Sequence, residues 1–139
     1  VTETWTLVYG LFTGCAELVA KLGHTAETPR IHRSQQYKLI KNQDHIITFK
    51  TEDFELTEAT SLPKNTALYV NILSKIDDRD AEEIAEIILT ELDRKYITDD
   101  NLYLHGDIYW DNYKTPPEWD ENNKCWFIEM RFKLPVSKK

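Results

Sequence analysis

The chain has 139 residues, 41% of them hydrophobic and 12% aromatic, with 24 Asp and Glu against 17 Lys and Arg for a net charge of -7. Length and composition predict a single folded domain over residues 1–139 with a core of its own, and exclude a disordered or low-complexity chain. The acidic balance argues against a nucleic-acid binder held by phosphate contacts, since no basic run is longer than the tail Lys138-Lys139.

Cys15 and Cys125 are the two cysteines. Both lie in apolar segments, which predicts buried free thiols and a reducing compartment. No apolar run reaches the roughly 18 residues of a membrane span, and no charged-then-apolar leader opens the chain, so no membrane is expected among its partners.

Taken in order, Trp5, Val8, Phe12, Cys15, Leu18, Val19 and Leu22 recur at steps of three and four. They predict one amphipathic helix over Thr4–Leu22, stopped by Gly23, with a strand over Trp5–Tyr9 as the alternative for its first part. His24–Gln36 is polar, carries Pro29 and reads as a loop. Tyr37–Ile40 and His45–Lys50, separated by Lys41-Asn42-Gln43-Asp44, read as a hairpin. Phe54–Thr57 alternates and could add an edge strand, and Ser61–Asn65 reads as a turn.

Thr66–Ser74 is apolar on both faces, which predicts a central strand. Asp80 with Glu83 three residues later looks like a capping pair, opening a helix to Lys95. Ala81, Ile84, Ala85, Ile88 and Leu92 form its apolar stripe, and Glu91 with Lys95 is a favourable i,i+4 pair. Asn101–Trp110 reads as a strand with Leu102, Leu104, Ile108 and Trp110 on one face and a bulge at Gly106. Asp111–Lys124 reads as a long loop bearing Pro116-Pro117, Tyr113 and Trp119. Cys125–Leu134 alternates, with Trp126, Ile128, Met130, Phe132 and Leu134 turned inward, and is expected to pair with the preceding strand. The elements sum to an α+β fold, an antiparallel or mixed sheet of four to six strands with two helices packed on one face.

The chemistry-bearing residues form no recognisable constellation. His24, His32, His45 and His105 lack zinc-ligand spacing and read as exposed. Asp107 with Glu129-Met130-Arg131 echoes the Asp…Glu-x-Lys core of a metal-dependent nuclease. Arg131 stands where a proton-exchanging Lys is needed, and alternation of polar residues on a wet strand face explains the pattern without chemistry. There is no nucleophile elbow and no Gly-rich phosphate loop. No catalytic, cofactor-binding or metal-binding residue is therefore assigned, and no cofactor is expected. Tyr109, Trp110, Tyr113 and Trp119 cluster around one polar connection. Two readings stand for them. They form a protein interface, with Tyr113 and Trp119 as its candidates, or they pin the loop to its own sheet.

The element order resembles one family. An N-terminal helix and a β-hairpin region lead to the central strand Leu68-Tyr69-Val70-Asn71-Ile72. The acid-rich helix Asp80–Lys95 follows, then two closing strands joined by a loop with Asp and Trp. This order is similar to that of the tail terminator (tail completion) proteins of long-tailed bacteriophages. The resemblance implies a non-enzymatic virion assembly protein of the tail or neck, assembled in the host cytoplasm. It implies a homo-oligomeric ring, a hexamer, that caps the tail tube, contacts the tail tube protein and presents a surface to the head-side connector or neck protein. DNA would be passing cargo only. A head–tail connector of similar build is the neighbouring alternative, and an antitoxin-like or immunity-like interaction module is a third.

Overall fold

Two long strands with strict alternation hold the molecule together. In the computed structural model, which describes residues 4–33, 42–51, 64–98 and 105–136, β3 (Lys64–Ser74) and β8 (Cys125–Val136) pair antiparallel. Their register runs without a slip from Lys64 opposite Val136 to Ser74 opposite Trp126. The other elements are α1 (Thr4–Thr13), α2 (Ala16–Leu22), β1 (Ile31–Arg33), β2 (His45–Thr51), α3 (Asp78–Leu92), β4 (Tyr96–Thr98), β5 (His105–Asp107), β6 (Tyr109–Lys114) and β7 (Glu118–Asp120). The fold is α+β with a mixed six-stranded sheet in the order β1-β2-β3-β8-β6. β7 also pairs with β8, and β4–β5 form a separate small sheet. β1 and β2 are parallel, and the other pairs are antiparallel.

Because side chains alternate across a strand, the unbroken β3–β8 register fixes both faces of the sheet. On the inner face Leu68, Val70 and Ile72 sit opposite Phe132, Met130 and Ile128, all fully buried. Ile47 and Phe49 of β2 continue this face. Val8 and Phe12 of α1, Leu18 and Leu22 of α2, and Ala81, Ile84, Ala85, Ile88 and Leu92 of α3 close over it in one core. The outer face has a smaller cluster of Ile46, Leu73 and Cys125 with Phe127 against it.

The N-terminal helix is two helices, not the single one expected. Thr13 Oγ1 bonds the Tyr9 carbonyl at 3.1 Å, competing for the helical acceptor. Gly14 follows, a poor helix former, and Cys15 is extended at φ -85° and ψ 99°. A Cβ on Gly14 would lie 3.0 Å from the Gly10 carbonyl, so glycine also suits the close turn. Gly23 does end α2 in the left-handed region at φ 70°, donating to the Val19 carbonyl.

Three further expectations change. The supposed loop His24–Gln36 contains β1, whose Ile31 lies opposite Ile47. α3 starts at Asp78, and its N-cap is Asp77, whose carboxylate accepts from the Asp80 N–H at 2.7 Å. It ends at Leu92 rather than Lys95, because Arg94 turns to φ 65° and donates its N–H to the Ile108 carbonyl. The Glu91–Lys95 pair forms at 3.4 Å. The predicted strand Asn101–Trp110 is divided by buried Ile108 into β5 and β6, with Gly106 at φ 133°. Tyr37–Ile40, Phe54–Thr57, Leu102 and Leu104 lie outside the described residues.

The main correction concerns Asp111–Lys124, which is not a loop. β6 and β7 run along the same edge of β8. Thr115 bridges them, donating its N–H to the Glu129 carbonyl at 3.0 Å and accepting the Glu129 N–H on its hydroxyl at 2.9 Å. A tight turn then leads into β8. Asp120 holds it by accepting from the Asn122 and Asn123 backbones and from Asn123 Nδ2, the last at 2.7 Å, and Lys124 turns at φ 54°.

Phe132→Ala should lower unfolding free energy by about 3–5 kcal/mol in urea titration, because Phe132 fills the core opposite Leu68 and Trp110. Asp77→Ala should cost about 1 kcal/mol through the lost cap. Loss of the same size in Glu83→Ala but not Asp77→Ala would return the cap to Asp80 and Glu83.

Candidate functional site

Two arrangements of side chains stand out. The first is a buried ionic cluster where α2, α3, β2 and β3 meet. Asp80 is 6% exposed, on the apolar stripe of α3. Its Oδ2 accepts from Ser74 Oγ at 2.6 Å and lies 2.8 Å from His45 Nδ1, while Oδ1 lies 3.1 Å from Lys21 Nζ. Lys21 also reaches Glu83 at 2.6 Å. Burial alone would raise the Asp80 pKa, but the hydrogen bonds from Ser74, His45 and Lys21 outweigh it and hold the carboxyl below its ordinary range. The Glu83 hydrogen bond, opposed by burial and aided by Asp80, raises Lys21 above the usual lysine value.

Ser, His and Asp are the residue types of a hydrolytic triad, but the connectivity is wrong for one. Ser74 and His45 both address the same Asp80 oxygen, so the Ser74 proton is aimed at the carboxylate and not at the imidazole. Ser74 Oγ also accepts the Ile76 N–H, and its side chain is fully buried. The cluster ties four elements together; it presents no nucleophile.

The second arrangement is the aromatic edge. Tyr109, Tyr113 and Trp119 are 45%, 37% and 48% exposed. They divide between the two faces of the sheet. Tyr113 lies opposite Arg131 on the outer face, where the guanidinium stacks 4.5 Å from its ring and 5.4 Å from that of Tyr69. Trp119 lies opposite Trp126, whose ring it meets edge-on at 5.5 Å, on the face the helices cover. Between Tyr113 and Trp119 the edge advances six residues while β8 advances five, from Arg131 to Trp126. The odd difference flips the face, and it falls at Thr115-Pro116-Pro117. Trp119 thus packs on its own sheet, as the second of the two readings has it, while half its surface stays open. Its indole N–H donates to Glu121 at 2.7 Å.

The remaining candidates separate. Asp107 lies in β5 of the small sheet, opposite Tyr96, and β6 begins opposite Lys133 toward the C-terminal end of β8, whereas Glu129 lies opposite Asn71 near the middle of the large sheet. The nuclease pair is thus not assembled. Among the described residues no group of three His, Cys, Asp or Glu side chains converges on a metal-sized site. His45 is buried and paired, contrary to the expectation of exposure. His24 accepts the Arg30 N–H at 2.9 Å, and burial lowers its pKa. Cys15 and Cys125 are free and buried as expected, and burial pushes the Cys125 thiol up to about 11, which makes it a poor nucleophile at neutral pH.

One missed residue left a trace in the sequence. Asp80 stands one residue before Ala81 and four before Ile84, so it falls on the buried stripe rather than before it. A carboxylate in that phase requires partners, and Lys21 and His45 supply them.

A comparison of folds finds a close counterpart. A chain in the solved structure "Virion of native gene transfer agent (GTA) particle" superposes with a TM-score of 0.72 at 11% sequence identity, covering 98% of this chain and 96% of that one. At that identity the likeness is one of fold. No protein-family model and no curated sequence matches the chain.

The ionic cluster sets a pH dependence. The Asp80 pKa is depressed on folding, so its stabilisation is complete above the unfolded value near pH 4 and is lost as pH falls through the folded one. Lys21, raised on folding, stabilises below the unfolded lysine value and loses that contribution as pH rises through its own. Asp80→Asn should cost about 3 kcal/mol at neutral pH and flatten the acid limb of stability against pH, measured by urea midpoints from pH 2 to 7. An unchanged acid limb would show that Asp80 does not carry it.

Proposed function

We propose that this chain is a non-enzymatic structural protein of a phage-like virion, a tail terminator, and that residues 1–139 act as one tail-terminator-like domain. The observation that carries the reading is the fold match, which spans nearly the whole of both chains and whose counterpart belongs to a virion particle. In this reading copies of the chain form a ring, a hexamer, that caps the tail tube. The ring stops addition of tube protein and offers its far surface to the head-side connector. Tyr113 and Trp119, exposed on opposite faces of the sheet, are contact residues. The acidic chain lines a path that DNA crosses without being held.

The side chains support contact as the mode of action. The Asp80 cluster is closed and structural, and Asp107 and Glu129 are held apart by register. A head–tail connector is the second reading, favoured by the same fold match.

Electron micrographs of tail tubes polymerised with and without the chain separate these readings. A terminator gives tubes that stop growing and carry extra density at one end. A connector leaves tube length unchanged and appears only on joined particles. Failure to associate with tubes or heads overturns both.

A further inference from the structure

Given the reading that copies of this chain associate, the geometry points to how they do so: the outer sheet face around Arg131 and Tyr113 of one copy docks in the groove between α2 and α3 of a second copy. The proposal rests on the ring reading but concerns a contact that reading does not specify.

The outer face carries a ladder in register, Lys50–Tyr69–Arg131–Tyr113, crossing β2, β3, β8 and β6. Lys133 and Tyr109 stand beside it on the same face. Arg131 lies between two tyrosine rings, its Nε buried without a hydrogen-bond partner, and among the described residues no carboxylate pairs with it. Lys133 meets Asp111 only at 3.5 Å, and Lys50 is exposed. Arg and Tyr together, with an unmet planar donor, are what an interface centre uses.

The groove on the helix side has the complementary character. It is about 440 Å³ and lined by Glu17, Lys21, Glu83, Glu86 and Ile87. Lys21 is engaged with Asp80 and Glu83. Glu17 and Glu86 are exposed and form no ion pair among the described residues, and Ile87 supplies an apolar wall. A tyrosine ring fits beside Ile87 while the flanking carboxylates meet Arg131, Lys133 and Lys50.

Strand addition is the less suitable mode for this edge. The extra residues Asp111 and Asn112, with Asn112 at φ 52°, and Pro116-Pro117 interrupt it. The two surfaces lie on opposite sides of one sheet, so the contact is head-to-tail. It closes into a ring or runs on as a filament, and cannot stop at a symmetric dimer.

Sedimentation velocity of the full chain over rising concentration tests this with a reciprocal charge swap. Lys50→Glu with Lys133→Glu makes both surfaces acidic; Glu17→Lys with Glu86→Lys makes both basic. Each variant alone should associate at least about ten-fold more weakly than wild type, while a one-to-one mixture should regain association. With both variants shown folded by far-UV circular dichroism and a wild-type urea midpoint, loss without recovery on mixing overturns the pairing. Variants that associate like wild type overturn this contact and leave the ring reading standing. A wild-type chain that stays monomeric at every concentration overturns both, and a single-stranded oligonucleotide bound by Arg131 in that monomer would assign the face to nucleic acid instead.

Discussion

The antiparallel register of β3 against β8 is the constraint on which the rest depends. It fixes for every residue of both strands whether it faces the helices or the outside. A slip of one residue would carry Ile128, Met130 and Phe132 out of the core and bring Glu129, Arg131 and Lys133 into it. The free energy holding the register comes chiefly from those buried apolar pairs, each worth a few kcal/mol. The helices follow from it, because α1, α2 and α3 have apolar stripes with nowhere else to go.

The buried Asp80 cluster adds specificity to that apolar core. Burying a carboxylate costs several kcal/mol unless partners replace water. Here three elements besides α3 each send one, Lys21 from α2, His45 from β2 and Ser74 from β3. The carboxylate is satisfied only when α2 and the start of α3 are correctly placed over the β2–β3 end of the sheet. The acidic groove between α2 and α3 is therefore set by the same interaction that locks the helices, with Glu83 belonging to both.

Much of this was readable in the sequence where burial leaves a period. β3, β8 and α3 each place apolar residues at one spacing for long enough to be unambiguous, and the α+β class follows. Reading failed where backbone pairing, not side-chain burial, makes the structure. β6 and β7 are edge strands with water on both faces over much of their length, so their residues show no alternation, and the extra residues at Asp111-Asn112 and Thr115-Pro116-Pro117 break whatever period remained. β1 is three residues long, too short for a pattern. The sequence marks Tyr113 and Trp119 only as aromatics clustered on one connection, and their separation onto opposite faces depends on an odd residue count against β8 that only pairing reveals. Asp80 was visible as an acid and misread as a cap, because Asp77 three residues earlier has the same chemistry and lies outside the stripe.

The proposed contact joins two surfaces, the aromatic and basic outer sheet face and the acidic groove between α2 and α3. A high-resolution image of the assembled particle tests it most directly. The account predicts a closed ring of copies at the end of the tail tube, with Arg131 and Tyr113 of each copy against Glu17, Glu86 and Ile87 of the next. Single copies at that position, or neighbours that meet through other surfaces and leave the α2–α3 groove open, would contradict it.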